Sequence, residues 1–114
     1  MDLYQWLQVL YSQRVTRSQG GARHKSRGVF AISVAAEMVS MEIQNLRVYE
    51  RHGLVSPDRT PGGTRLYSAD DVTRLVHIGE LLADGLNLAG IARVLELEAS
   101  LARLKATNAR LRKG

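Results

Sequence analysis

The chain contains no cysteine, which excludes disulfides, thiolate metal sites and cysteine redox sensing together and fits a reducing cytosol. Long apolar runs are missing as well. Charge or glutamine interrupts every hydrophobic stretch within a few residues, so no segment is expected to span a bilayer and no membrane partner is expected. Aromatic residues are 5% of the chain against 45% hydrophobic residues in all, a balance that points to a helical core of Leu, Val, Ile and Ala. Proline is nearly absent; Pro57 and Pro61 fall in one short stretch that reads as a chain reversal. No paired carboxylates, nucleophile and base set, or phosphate loop is present, and Pro61-Gly62-Gly63 suits a turn better than a nucleotide cradle, so an enzyme is not expected. His24, His52 and His77 sit in unrelated contexts, which leaves no expected metal site and no expected cofactor.

What is present fits one small core within 114 residues, with extensions around it. The net charge of +5 is unevenly spread. Residues 1–28 carry five cations against Asp2, residues 29–86 carry five arginines against eight acids, and residues 87–114 carry six cations against Glu96 and Glu98. The middle segment is therefore net acidic, and the basic total cannot by itself identify a nucleic-acid surface. Between residues 47 and 65, however, Arg47, Arg51, Arg59 and Arg65 face only Glu50 and Asp58, so a local positive surface is possible there.

These shifts divide the chain in three. Residues 1–28 read as a basic extension, with Leu3, Trp6, Leu7 and Leu10 at helical spacing before a flexible Gly, Ser and cation-rich linker. Residues 29–86 begin with a β-prone Phe30-Ala31-Ile32. Ser33 is then positioned to cap a helix over Val34–Val39, and Ser40 to cap a second over Met41–His52 that ends at Gly53. In the second helix Ile43, Leu46 and one of Val48 or Tyr49 are spaced to face inward, leaving Gln44, Asn45, Arg47 and Arg51 outside. Leu54-Val55 and Leu66-Tyr67 flank a hairpin with Arg59 and Arg65 on its two arms. Ser68 is expected to cap a scaffold helix over Ala69–Ala83, with Asp70 and Asp71 in its first turn. In residues 87–114, Asn87 can cap a helix reaching about Arg112 whose Val94, Leu97, Leu101, Leu104, Asn108 and Leu111 alternate by three and four. That is the seam of a coiled coil, about 27 Å long at helical rise, and a lone helix of this kind calls for a partner.

A helix pair with an adjacent wing fits DNA: the start of the second helix can enter the major groove, where Gln and Asn pair with adenine and Arg with guanine, while the wing touches phosphate. The run Leu46-Arg47-Val48-Tyr49-Glu50-Arg51-His52-Gly53-Leu54, then Pro57, Gly63-Thr64-Arg65-Leu66-Tyr67-Ser68 and Asp70-Asp71-Val72, resembles the MerR family of transcription regulators over about residues 30–98. Within it, Ile32-Ser33-Val34-Ala35-Ala36, Ser56-Pro57, Pro61-Gly62-Gly63 and Asn87-Leu88-Ala89-Gly90-Ile91 are most similar to the heat-shock repressors.

The resemblance implies a mainly α, winged helix-turn-helix fold with a small β-hairpin wing and a C-terminal dimerisation helix. It also implies a homodimer on double-stranded DNA, and a chaperone of the DnaK type as co-repressor. Ser33, Gln44, Asn45, Arg47, Tyr49, Arg51, Arg59, Thr64, Arg65 and Tyr67 are the candidate DNA contacts. Val48, Asn45 and Leu66 depart from the family pattern, where an aromatic, a threonine and a second wing arginine are usual; phosphate contacts at 48 and 66 should be lost. No small-molecule effector domain is expected after the last helix, so regulation would come from a partner protein, from temperature or concentration acting on the dimer, or from the N-terminal arm. The expectation is a repressor of chaperone or other stress genes. An activator that distorts its promoter, an excisionase-like architectural factor and a protein-interaction module without DNA binding are the alternatives.

Overall fold

The computed structural model describes residues 26–113; the expected N-terminal amphipathic helix lies outside the described residues. In chain order the elements are β1 (Phe30–Ala31), α1 (Ile32–Met38), α2 (Ile43–Arg51), β2 (Asp58–Arg59), β3 (Arg65–Tyr67), α3 (Ala69–Ala83) and α4 (Leu88–Lys113). The fold is mainly helical with a small antiparallel sheet, as the sequence suggests.

The two short helices start differently from the expectation. Residue Ala31 precedes α1 in extended geometry and makes no side-chain cap bond, so Ser33 lies inside the helix and does not cap it. Ser40 does not start α2 either. It adopts a left-handed φ of 55°, and the amides of Ser40 and Met41 donate back to the carbonyls of Glu37 and Ala36, which closes the C-terminus of α1. Glu42 stands before α2, again with no side-chain cap. The same paired closure recurs at the end of α2, where Gly53 (φ 74°) and Leu54 donate to Glu50 and Tyr49. It recurs again after α3, where Gly85 (φ 95°) and Leu86 donate to Leu82 and Leu81. Stop signals, more than start signals, set the lengths of these helices.

α3 is the exception, with both ends written locally. Ser68 Oγ accepts from the Asp71 amide at 3.0 Å and Asp71 Oδ2 accepts from the Ser68 amide at 2.9 Å, a reciprocal box that satisfies two otherwise orphaned donors. Asn87 caps α4 through an Oδ1 that accepts from the Gly90 amide at 2.8 Å.

The wing is one half of a three-stranded sheet ordered β1-β3-β2. Arg59 pairs with Arg65 and Asp58 with Leu66 on one side, Phe30 with Tyr67 and Ala31 with Leu66 on the other. Pro61, Gly62 and Gly63 turn the hairpin between Thr60 and Thr64, whose backbones bond at 2.9 Å, and Gly63 takes the left-handed position at φ 87°. The lead into β1 passes so close to β3 that a Cβ on Gly28 would lie 2.3 Å from the Leu66 carbonyl oxygen. Residues just before Val29 are tied in as well: the Gly28 amide donates to Asp58 Oδ2 at 2.9 Å, and Ser26 exchanges hydrogen bonds with Asp70.

The core lies where the faces of α1, α2, α3 and the first two turns of α4 meet the sheet. It comprises Ala35, Ala36, Leu46, Tyr49, Leu54, Val55, Tyr67, Val72, Leu75, Ile78, Ile91 and Leu95. The alanines let α1 approach closely. Leu46, fully enclosed at the centre of α2, contributes on the order of 2–3 kcal/mol by removal from water. Beyond Leu95 the last helix leaves the core, and Leu97, Leu101, Leu104 and Leu111 are 51–73% exposed. No helix among the described residues is long and apolar enough to cross a membrane.

Candidate nucleic-acid interface

Burial of Leu46 and Tyr49 fixes the roll of α2 and so decides what its outer face offers. Gln44 and Asn45 are exposed in its first turn, Arg47 half a turn on and Arg51 at its last residue. Arg47 Nη1 lies 3.5 Å from Gln44 Oε1, a long contact that leaves the guanidinium free to reach outward. Ser33 is exposed on α1 and Thr64 at the wing tip, where the Thr64 amide is held by Thr60 Oγ1 at 3.1 Å.

Arg59 and Arg65 stand side by side as cross-strand partners, an arrangement that is repulsive unless something neutralises it. Glu50 of α2 does so. Its Oε2 accepts from Arg59 Nη2 at 3.0 Å and its Oε1 accepts from Arg65 Nε. Arg59 Nη1 also donates to the Gly63 carbonyl at 2.9 Å, which binds the guanidinium to the turn. One carboxylate thus joins the outer helix to both arms of the wing. Spacings of nine and fifteen residues carry no local signal, and from sequence Glu50 counts only as an offset to nearby arginines.

Both tyrosines pack inward, Tyr49 in one of the two positions the helical spacing allows for the inner face. Tyr49 is 5% exposed and Tyr67 fully enclosed, and among the described residues no protein group bonds the Tyr67 hydroxyl. Burial pushes both phenols above their ordinary value; at Tyr67 the Glu50 and Asp71 carboxylates push the same way, while Arg65 and Arg59 oppose them. As placed, Tyr67 is core and its hydroxyl cannot meet a phosphate at the surface. Val48 and Leu66, where the resemblance marks phosphate contacts as lost, are both half-buried, and Val48 packs on the core.

Supporting contacts that the sequence did not signal hold the helices in position. Arg74 of α3 donates its Nε to the Leu54 carbonyl behind the C-terminus of α2. His77 of α3 meets Glu98 of α4, with Nε2 at 2.9 Å and 3.0 Å from the two carboxylate oxygens. That contact falls where α4 departs from the head. The seam positions follow beyond it, with Val94 half-buried and Leu97, Leu101, Leu104, Asn108 and Leu111 exposed.

Glu50 therefore ties the helix that carries the exposed Gln44, Asn45 and Arg47 to the cationic wing, and a helix joined to a wing can place the one in a groove and the other on the adjoining backbone. Known proteins share the pattern. A protein of Streptomyces coelicolor assigned as heat shock protein HspR is 51% identical over 84 residues, covering 73% of this chain and 56% of its own length. The HTH-type transcriptional regulator GlnR of Bacillus anthracis is 44% identical over 71 residues, covering 62% of this chain and 55% of its own. The chain thus spans about half the length of the curated relatives it matches. Among solved structures, a MerR-family transcriptional regulator from Bacillus cereus superposes with a TM-score of 0.56 at 29% identity, over 74% of this chain and 72% of that one. Residues 30–98 match the model of the MerR HTH family regulatory protein, and with the winged head and its C-terminal helix in place, the chain belongs to that family.

Proposed function

We propose that the chain is a homodimeric, sequence-specific DNA-binding repressor that occupies an inverted-repeat operator at heat-shock, chaperone or other stress genes. The observation that carries the reading is the exposure of Gln44, Asn45 and Arg47 on α2, a helix tied through Glu50 to the paired wing arginines Arg59 and Arg65. Gln and Asn present the donor and acceptor pair that matches adenine in the major groove, and Arg matches guanine. Arg59 and Arg65 supply the sequence-independent grip on phosphate that sets register. The 51% identity to a heat shock protein HspR favours stress genes over other targets.

The second half of the reading is the dimer. Leu97, Leu101, Leu104 and Leu111 expose an apolar stripe that an isolated chain would leave in water. Pairing two such stripes buries them and presents two recognition helices to two half-sites, which is why the operator is expected to be an inverted repeat. A DnaK-type chaperone as co-repressor belongs to the same reading, and its addition should tighten operator binding. The test is run-off transcription from promoters recovered by mapping bound sites across the genome. Added protein should reduce transcripts from a template bearing the bound site and leave a scrambled template unaffected. Increased transcript from the same template would favour promoter distortion and overturn repression.

A further inference from the structure

Glu50 occupies an unusual place for an acid. It sits on the helix assigned to base reading, its side chain is 17% exposed, and its two oxygens are divided between the two wing arginines that the proposed function assigns to phosphate. Resting on that reading, we infer that Glu50 is a specificity-determining residue: its carboxylate occupies the wing arginines in the free protein and holds down sequence-independent binding.

Two guanidiniums facing each other across β2 and β3 repel, and without a counter-charge they would splay toward solvent as two independent cations. With Glu50 between them the cluster carries one net positive charge instead of two. Sequence-independent affinity grows with each phosphate that a cation neutralises, so the carboxylate weakens the phosphate term on every duplex and leaves base contacts a larger share of the binding. Glu50 also ties the wing to α2. Arg59 and Arg65 are held at a fixed distance from Gln44, Asn45 and Arg47, so wing and helix engage together only on a duplex whose bases accept the helix. Three of the ten N–H donors of the two guanidiniums are used in the Glu50 and Gly63 bonds, which leaves donors for phosphate without breaking the tie.

The experiment measures fluorescence anisotropy of the full chain on a duplex recovered by in vitro selection and on a pooled random duplex, across a salt series. Glu50→Gln should raise random-duplex affinity about tenfold at low salt and steepen the salt dependence by roughly 0.9 in log–log slope, one added phosphate contact. Affinity for the selected duplex should rise less, so the ratio of the two falls. The charge-balanced double variant Glu50→Gln with Arg59→Ala restores one net positive charge and should return the random-duplex slope to the parent value. Glu50→Asp keeps the charge but withdraws it by one methylene, so a smaller rise in random-duplex affinity is expected from a conservatively altered side chain. Circular dichroism establishes that each variant is folded. Loss of affinity for both duplexes in Glu50→Gln and Glu50→Asp would reduce Glu50 to a brace and overturn the inference. If the parent chain itself discriminates no duplex from the random pool, the functional reading fails first, a result distinguishable from the other.

Discussion

Gln44 and Arg47 keep their side chains outside because Leu46 and Tyr49, on the opposite face of the same nine-residue helix, are committed to the core, while Asn45, one turn before Tyr49, is exposed in the first turn. Their availability follows from helical periodicity, which is why sequence could identify them. Tyr67 shows the opposite case. On a three-residue strand, alternation gives few positions from which to judge which face is buried, and the ring goes inward while Arg65 and Leu66 remain partly exposed. With no protein partner for its hydroxyl among the described residues, Tyr67→Phe should leave unfolding free energy unchanged or raise it by up to about 1 kcal/mol. DNA affinity should also be unchanged. Chemical denaturation and anisotropy check the two halves, and a large loss of affinity would restore the phosphate role. The phenol has a further consequence at alkaline pH. Because its folded value is raised, chiefly by burial, the stability linked to its protonated form is fully present below the ordinary tyrosine value near 10 and is lost as pH rises through the raised value. The Phe variant should lose less stability over that alkaline window.

At the scale of elements, the part of the fold written in short-range signals is the part that sequence reads well. α3 has Ser68, Asp71 and Gly85 within and around it, and its boundaries match the expectation. The starts of α1 and α2 depart from the expectation: Ser33 and Ser40 have cap chemistry but neither has an acid three residues on, and Ser40 serves instead in the closure of α1. The pairing of β1 with β3 joins residues more than thirty apart, and no local pattern announces it. Ser40 is the testable residue here. A side chain in left-handed geometry costs about 1 kcal/mol that glycine avoids. Ser40→Gly should therefore raise the melting temperature of the head by a few degrees, on the order of 4–8 °C per kcal/mol gained. Calorimetry reads this directly, and an unchanged or lower value would mean that the serine geometry is not strained.

Across the whole molecule the charge is arranged against the simplest reading of a basic protein. The surplus lies in residues 1–28 and 87–114, while the segment that carries the candidate interface is net acidic. Function then depends on placement: among the acids of that segment Asp71 is consumed in a cap and Glu50 in the wing tie, while Arg47 and Arg51 remain at the surface. Sequence could place the arginines near one another and the acids of the α3 cap, but not show what Glu50 was doing, since its partners lie on two strands that only the fold brings to α2. The leucine stripe on α4 is the other feature of this scale. If it pairs two chains, Leu101→Asp should raise the dimer dissociation constant at least about 100-fold, from the buried leucine lost on both copies and the charge placed there. Sedimentation velocity would then show monomer at concentrations where the parent is dimeric; an unchanged distribution would move the interface elsewhere.

Most direct of all is anisotropy of the full chain on a duplex recovered by selection and on random duplex, at low and moderate salt, with Arg47→Ala beside the parent. A reader of DNA sequence binds the selected duplex at least about 1,000-fold more tightly, loses affinity as salt rises, and loses about 1–3 kcal/mol of discrimination with Arg47→Ala. Equal affinity for both duplexes, unchanged by Arg47→Ala, would contradict the assignment of this winged head to DNA recognition.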